Sequence, residues 1–290
     1  MKKILIISRI SSELWKRQES LYRIVNGAVS NLYDYQKPNK ILRSKSDVIA
    51  YYGCDPVIFS KSKTDVRFVS EPIEIEVPNV KKFTKYSHVY MPDMGVYELP
   101  TYSQACLPWH LGINFSVSQG IVNLSATDLH ELVTPKTKKI SIIISSKSET
   151  CAQKRRLQVG FYLKDKFGDR IEIYGRGIRT VPDKYSVLKD SSIHVAMENS
   201  RHDHYWSEKL ADPILARNFV FYFGSQILPK EFESVEVFDI FSPLNVISDQ
   251  FDAFVKKVDS LDFDSKEALL TFSKLELIQN QSLHSVLEKL

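Results

Sequence analysis

A carboxylate, an amide, a tyrosine and a glutamate–lysine pair follow one another between Glu198 and Lys209. Residues 194–224 read as a short apolar strand, a polar loop carrying Glu198, Asn199, His202, Asp203, His204 and Tyr205, a helix entered at Ser207-Glu208-Lys209, and a second apolar strand over 219–223. A helix entered this way turns the positive end of its dipole toward the loop. That end, together with Lys209, suits a diphosphate, and Glu208 suits ribose hydroxyls as their acceptor. The same residues also read as plain structure, with Ser207 as an N-cap, Glu208 complementing the dipole and Lys209 in solvent. Spacing alone does not choose between the two.

The elements that must hold this segment alternate in type. Residues 4–7, 48–52, 57–59, 66–69 and 88–91 have the length and apolar content of strands, with 13–32 helical and 71–77 a less certain edge strand. The loop 95–109 is rich in Gly, Pro and Tyr, and such loops often carry function. A polar, proline-containing stretch, 134–139, reads as the linker between two domains. Beyond it come a strand (140–144), a helix (153–167), a strand (170–174), the segment 194–224 and a strand near 235–238. This repetition predicts a parallel, doubly wound sheet, whose ligands sit at the carboxyl ends of strands. We therefore expect an α/β chain with one domain over 1–137, a second over 138–247, and C-terminal helices over 248–290.

At 290 residues and 43% hydrophobic content, each domain has material for its own core. The net charge of +4 is spread along the chain, which fits a nucleotide phosphate as partner. There is no basic stripe interleaved with aromatics, so no nucleic-acid partner is expected. Cys54, Cys106 and Cys151 lie too far apart for a disulfide framework or a zinc motif. The first apolar run, 4–7, is too short for a signal peptide, and no stretch approaches the roughly 20 apolar residues of a membrane span. A soluble, cytoplasmic protein is expected; the leucines and isoleucines of 269–290 leave membrane-surface association open, with core packing the preferred use.

Glu198-Asn199-Ser200, four residues, Tyr205, two residues, Glu208-Lys209-Leu210 and then an apolar strand ending at Gly224 resemble the donor-binding signature of the α-1,3-fucosyltransferases, glycosyltransferase family 10. That signature reads approximately FENS-xxx-DYITEKL. Ser145-Ser146, Arg156-x2-Val159-x3-Leu163 and Tyr174-Gly175-Arg176 are similar to an upstream part of the same family, and 234–243 to a downstream part. The resemblance spans about residues 140 to 245. It implies a GT-B-type fold of two facing Rossmann-like domains, acceptor-side first and donor-side second. It further implies transfer of L-fucose from GDP-fucose, as substrate, to a glycan hydroxyl, with inversion and with no metal or other cofactor. Arg156 and Lys209 would stabilise the departing diphosphate, since a guanidinium fork stays charged and binds two oxygens. Glu208 and Asn199 would hold the nucleotide sugar, and Tyr205 would shape the pocket. Arg155, next in sequence, leaves the register of the helical arginine open by one residue.

The family places a catalytic carboxylate in a Glu-Ser-Pro-like segment, to which Tyr97-Glu98-Leu99-Pro100 is comparable. The resemblance thus implies Glu98 as general base, with Asp93 as the competing residue. His202-Asp203-His204 has the composition of a metal site, but adjacent residues do not converge easily on one ion, and a polar loop is expected. Asp262-Phe263-Asp264 has the Asp-x-Asp form of metal-dependent glycosyltransferases, yet falls between predicted helices, where an acidic helix start is expected. Ser146, Val159, His204, Trp206, Ser207 and 217–219 depart from the family pattern. They leave two alternatives standing: a same-fold transferase using another nucleotide sugar, and a non-catalytic nucleotide- or glycan-binding protein.

Overall fold

The computed structural model describes residues 2–8, 11–27, 31–36, 46–52, 64–68, 88–90, 109–114, 121–135, 137–199, 201 and 205–289. By its internal contacts the chain forms two units: Met1–Pro108 with His202–Trp206 and Ile278–Leu290, and Trp109–Arg201 with Ser207–Leu277. Glu98, Asp93, Ser200 and the His202-Asp203-His204 run lie outside the described residues, as do the strands expected at 57–59 and 71–77.

In the first unit, strands β1 (Lys3–Ser8), β2 (Leu32–Gln36), β3 (Val48–Tyr52), β4 (Thr64–Phe68) and β5 (His88–Tyr90) form one parallel sheet in the order β2-β1-β3-β4-β5. The helix expected over 13–32 is shorter, Ser12–Asn26. Its end is set by Gly27, whose φ of 74° favours glycine and whose N–H returns to the Arg23 carbonyl at 2.9 Å. The residues beyond become β2, in which Leu32 is exposed while Tyr33 and Tyr35 pack against the core, the period-two alternation of a strand.

That core also takes in the last helix, Leu283–Glu288, through Leu283, Val286 and Leu287, which pack with Ile4, Ile6, Trp15, Val48, Ala50 and Val66. His284 of this helix is fully buried and lies 2.9 Å by its Nε2 from the Tyr35 hydroxyl, which itself donates to Glu19 at 2.5 Å. Since the hydroxyl's one proton goes to Glu19, the histidine is the Nε2–H tautomer. Burial, with the nearby Arg23 charge, lowers its pKa to about 3, so it is neutral at physiological pH. Tyr33 donates to Glu288 at 2.7 Å and sets its ring edge-on to the imidazole.

The second unit opens with the antiparallel pair β6 (Ile113–Asn114) and β7 (Ile121–Val122) and a helix, Ala126–Glu131. Its main sheet comprises β8 (Ile140–Ile143), β9 (Ile171–Tyr174), β10 (Ile193–Met197), β11 (Phe219–Phe223) and β12 (Val235–Val237), all parallel, in the order β12-β11-β10-β8-β9. Every residue of β10 and β11 is buried, as expected of central parallel strands covered on both faces. Phe221 stacks on Phe238 at 4.3 Å and meets Phe251 and Phe254 of the Leu244–Ser260 helix.

These units have other bounds than 137 and 247. The segment from Trp109 belongs with the second sheet because Asp212 accepts the N–H groups of His110 and Leu111, Arg217 donates to Thr134 at 3.0 Å, and Lys274 donates to the His130 carbonyl at 3.0 Å. The helices beyond 247 divide, with most of Phe263–Asn280 in the second unit and Leu283–Glu288 in the first. Asp262 caps the Phe263–Asn280 helix, accepting the Ser265 N–H at 2.7 Å.

Lys274 is 4% exposed, and burial, reinforced by the Arg217 charge, lowers its pKa to about 7. The unfolded chain then binds a proton that the folded chain does not, between about 7 and the ordinary 10.5. Stability contributed at this residue is therefore greatest at high pH and is lost as pH falls toward about 7. Unfolding free energy should rise with pH in that window by up to about 1.4 kcal/mol per pH unit. Denaturant titrations at several pH values should show this slope in the native chain and its loss in Lys274→Met.

Candidate active site

The strand order of the second sheet reverses direction between β8 and β10, and at such a switch point the loops leaving the carboxyl ends part to form a crevice. Ser145-Ser146 follow β8, and Glu198-Asn199 follow β10. On the β8 side, the Ser146 N–H donates to the Arg176 carbonyl at 2.9 Å, folding the turn after β9 against the crevice. Gly177 in that turn has φ of 80°, and a Cβ there would collide with the Ser146 hydroxyl, so glycine is required on both counts.

Glu198 is the anchor on the β10 side and is fully buried. Its carboxylate accepts the Ser207 N–H at 2.7 Å and the Ser207 hydroxyl at 2.8 and 2.7 Å to its two oxygens, and lies 3.4 Å from the Lys209 ammonium. A carboxylate on the strand end thus holds the first turn of the Glu208–Leu215 helix, with Ser207 as its N-cap. Gly224 makes room for it: a Cβ there would collide with the Tyr222 hydroxyl and stand 2.7 Å from the Glu198 Cγ.

Lys209 donates to the Ser207 hydroxyl at 3.0 Å and lies 3.4 Å from Glu208. Lys184 lies 3.7 Å from Glu208 on another side and 2.6 Å from Asp212, which is fully buried. Burial alone would raise the pKa of Glu208, but Lys209, Lys184 and His110 outweigh it and hold the carboxyl well below the usual range. Glu208 is therefore an anion and hydrogen-bond acceptor at any physiological pH. His110 and His194 are pushed the other way by burial, His194 to about 3, with its Nδ1 held 2.8 Å from the Ser141 hydroxyl. His194 is therefore neutral near neutrality.

Arg156, on the Cys151–Phe167 helix, is 5% exposed and donates to the carbonyl of Met197, the last residue of β10, at 3.3 Å. Arg155 is committed elsewhere, donating to the carbonyls of Ile240 and Ser242 at 2.7 and 2.6 Å. Of the two, Arg156 is therefore the one bonded at the end of β10. Arg156 bonds Met197, Lys209 lies against Glu198 and Glu208, and Asn199, half-buried, follows Glu198 directly. Tyr205 is buried and groups with the first unit.

Two cavities adjoin these groups. One of about 20 Å³ lies among Lys184, His194, Met197, Glu208 and Lys209, room for about one water. The other, about 280 Å³, is lined by Gly175, Arg176, Thr180, Val181, Asp183 and Lys184. Among the described residues no group of three or more His, Cys, Asp or Glu is placed to hold a metal ion. Asp212 and Lys184 were missed in the sequence. Asp212 had a signal, since it stands four residues after Glu208 on the same helix face. Lys184 had none, being brought in from a distant loop.

No protein-family model matches the chain, and no curated protein matches its sequence. Solved structures do match its fold. Two crystal structures of an α1,3-fucosyltransferase, one of them with GDP, are 16% and 17% identical to the chain. They superpose with TM-scores of 0.51 and 0.50, over 93% and 98% of this chain and 80% and 92% of theirs. An α-glucosyltransferase in complex with UDP and a 13-mer DNA is 9% identical, with a TM-score of 0.55 over 97% of this chain and 95% of that one. The chain has the GT-B fold of glycosyltransferases, an α/β architecture with parallel sheets.

Proposed function

We propose that this chain is an inverting, metal-independent glycosyltransferase that moves L-fucose from GDP-fucose to a glycan hydroxyl. The observation that carries this reading is that Arg156 bonds the Met197 carbonyl and Lys209 lies against the next residue, Glu198, at the switch point of a parallel sheet in a GT-B fold. Lys209 is aimed in advance by Glu198, Glu208 and Ser207, so little of its side-chain freedom remains to be lost on meeting a diphosphate. Glu208, kept ionised by its lysine neighbours, accepts from the ribose hydroxyls, and Asn199 supports the nucleotide sugar. The nucleoside occupies the cavity between the β9 turn and Lys184, and Tyr205 shapes the pocket.

The reaction is a single displacement. Glu98 takes the proton of the acceptor hydroxyl as its oxygen bonds the anomeric carbon, and the bond from that carbon to the diphosphate oxygen breaks on the opposite face. The leaving diphosphate carries away the electron pair, and Arg156 and Lys209 offset the charge that develops on it. No other cofactor takes part. A transferase for a UDP-sugar is the second reading, favoured by the UDP-bound fold relative. The acceptor is a glycan. Among the described residues no helix is long and apolar enough to cross a membrane, and the protein acts in the cytoplasm or at its membrane surface.

Thermal shift against nucleoside diphosphates and their sugars tests the donor. A ligand present at about 100 times its dissociation constant should stabilise the chain by about 2.7 kcal/mol. Stabilisation by GDP and GDP-fucose but not by UDP compounds is the expected result, and the reverse pattern would refute fucose. Transfer and donor hydrolysis, measured alongside, should fall by about 10²–10⁴-fold in Glu98→Ala with nucleotide binding kept. A native chain that binds nucleotides yet neither transfers nor hydrolyses any sugar donor would be a binding protein instead.

A further inference from the structure

At the opposite edge of the second sheet, before β8, β10 and β11 begin, lies a cavity of about 420 Å³, within the size range of small-ligand sites. Its apolar wall is made by Phe219, Val258, Phe263 and Leu270, and two lysines, Lys138 and Lys266, are also among its lining residues. Among the described residues no carboxylate lines it. Of the nearby acids, Asp259 pairs with Arg170 at 2.7 Å, Glu267 with Arg217 at 2.6 Å, and Asp262 accepts the Ser265 N–H at 2.7 Å, though its charge also acts on Lys266.

From this combination we infer that the cavity binds an aliphatic carboxylate, with the chain against the phenylalanine and leucine wall and the carboxylate between Lys138 and Lys266. A neutral apolar ligand would bring no counter-charge to the two lysines of the lining. A fully polar anion would leave the apolar wall without a partner. An amphiphilic anion satisfies both, as charge-assisted hydrogen bonds are the stronger kind. Ser192, on the lining, immediately precedes β10, the strand that leads to Glu198. The site is thus at the far end of the strand that leads to the Glu198 carboxylate, and its occupation does not depend on the nature of the donor.

Calorimetric titration of the full chain with octanoate, with octan-1-ol as the neutral counterpart, tests the inference. One saturable octanoate site is expected, with octan-1-ol at least about tenfold weaker. The double variant Lys138→Gln/Lys266→Gln should lose about tenfold or more in octanoate affinity at an unchanged melting temperature. Thr137→Trp, placed on the half-buried lining, should lose a similar factor by filling the space. Absence of saturable octanoate binding to the native chain, equal binding of octan-1-ol, or wild-type affinity in both variants would each overturn the site. None of these readouts involves a nucleotide, so they stand or fall apart from the transferase reading.

Discussion

Glu198→Ala should lower the unfolding free energy of the second unit by about 3–5 kcal/mol, the cost of removing one partner from a buried, charged arrangement. The carboxylate is fully buried and receives both the N–H and the hydroxyl of Ser207, with the Lys209 ammonium 3.4 Å away. Truncation leaves two donors and a cation facing a void that the rigid ends of β10 and β11 do not let collapse. Glu198→Gln keeps the shape and one acceptor oxygen, so it should cost clearly less. Chemical denaturation of the two variants measures the difference. A loss below about 1 kcal/mol for the alanine variant would mean that the helix start at Ser207 is held by other contacts.

Lys209→Ala should reduce kcat/KM for sugar transfer by about 10²–10³-fold, the usual loss when a preorganised group facing developing charge is removed. The effect on stability should be small. Glu198 keeps its Ser207 donors and Glu208 keeps Lys184 at 3.7 Å, so no buried carboxylate is left without a partner. If Lys209 meets the leaving diphosphate, kcat should fall more than the affinity for intact donor, and Lys209→Arg should recover part of the rate. A kcat/KM within about threefold of wild type would remove Lys209 from the transfer step. The two variants are complementary, since one tests the clamp that aims the lysine and the other tests the lysine.

Several elements were legible because their cause is local. The Cys151–Phe167 helix carries its own start signal, a capping box between Thr150 and Gln153. β10 and β11 announce themselves as short apolar runs, and Ser207 before Glu208-Lys209 marks the helix that follows. β2 has no counterpart in the expectation, which runs the helix on to 32, the first residue of β2; the break depends on the single backbone angle at Gly27. The bound at 137 followed proline and polar content, whereas the compact unit starts at Trp109 because of hydrogen bonds to Asp212 from residues 102 and 101 positions away.

By itself the sequence determined that the chain alternates strands and helices, and that the richest chemistry lies where a strand ends and a capped helix begins. Both follow from side-chain periodicity and capping over a few residues. Tertiary structure alone decided where Arg155 and Arg156 bond, since Ile240 and Ser242, 85 and 87 residues on, claim the first, and the Met197 carbonyl accepts from the second. It also decided that Glu198 is a buried clamp for Ser207, that Lys184 joins Asp212 and Glu208, and that the last helix closes on the first sheet, where Tyr33 meets Glu288 across 255 positions. Pairings of this kind are set by where folded elements bring charges and donors out of water, and that energy depends on burial, which no local pattern encodes.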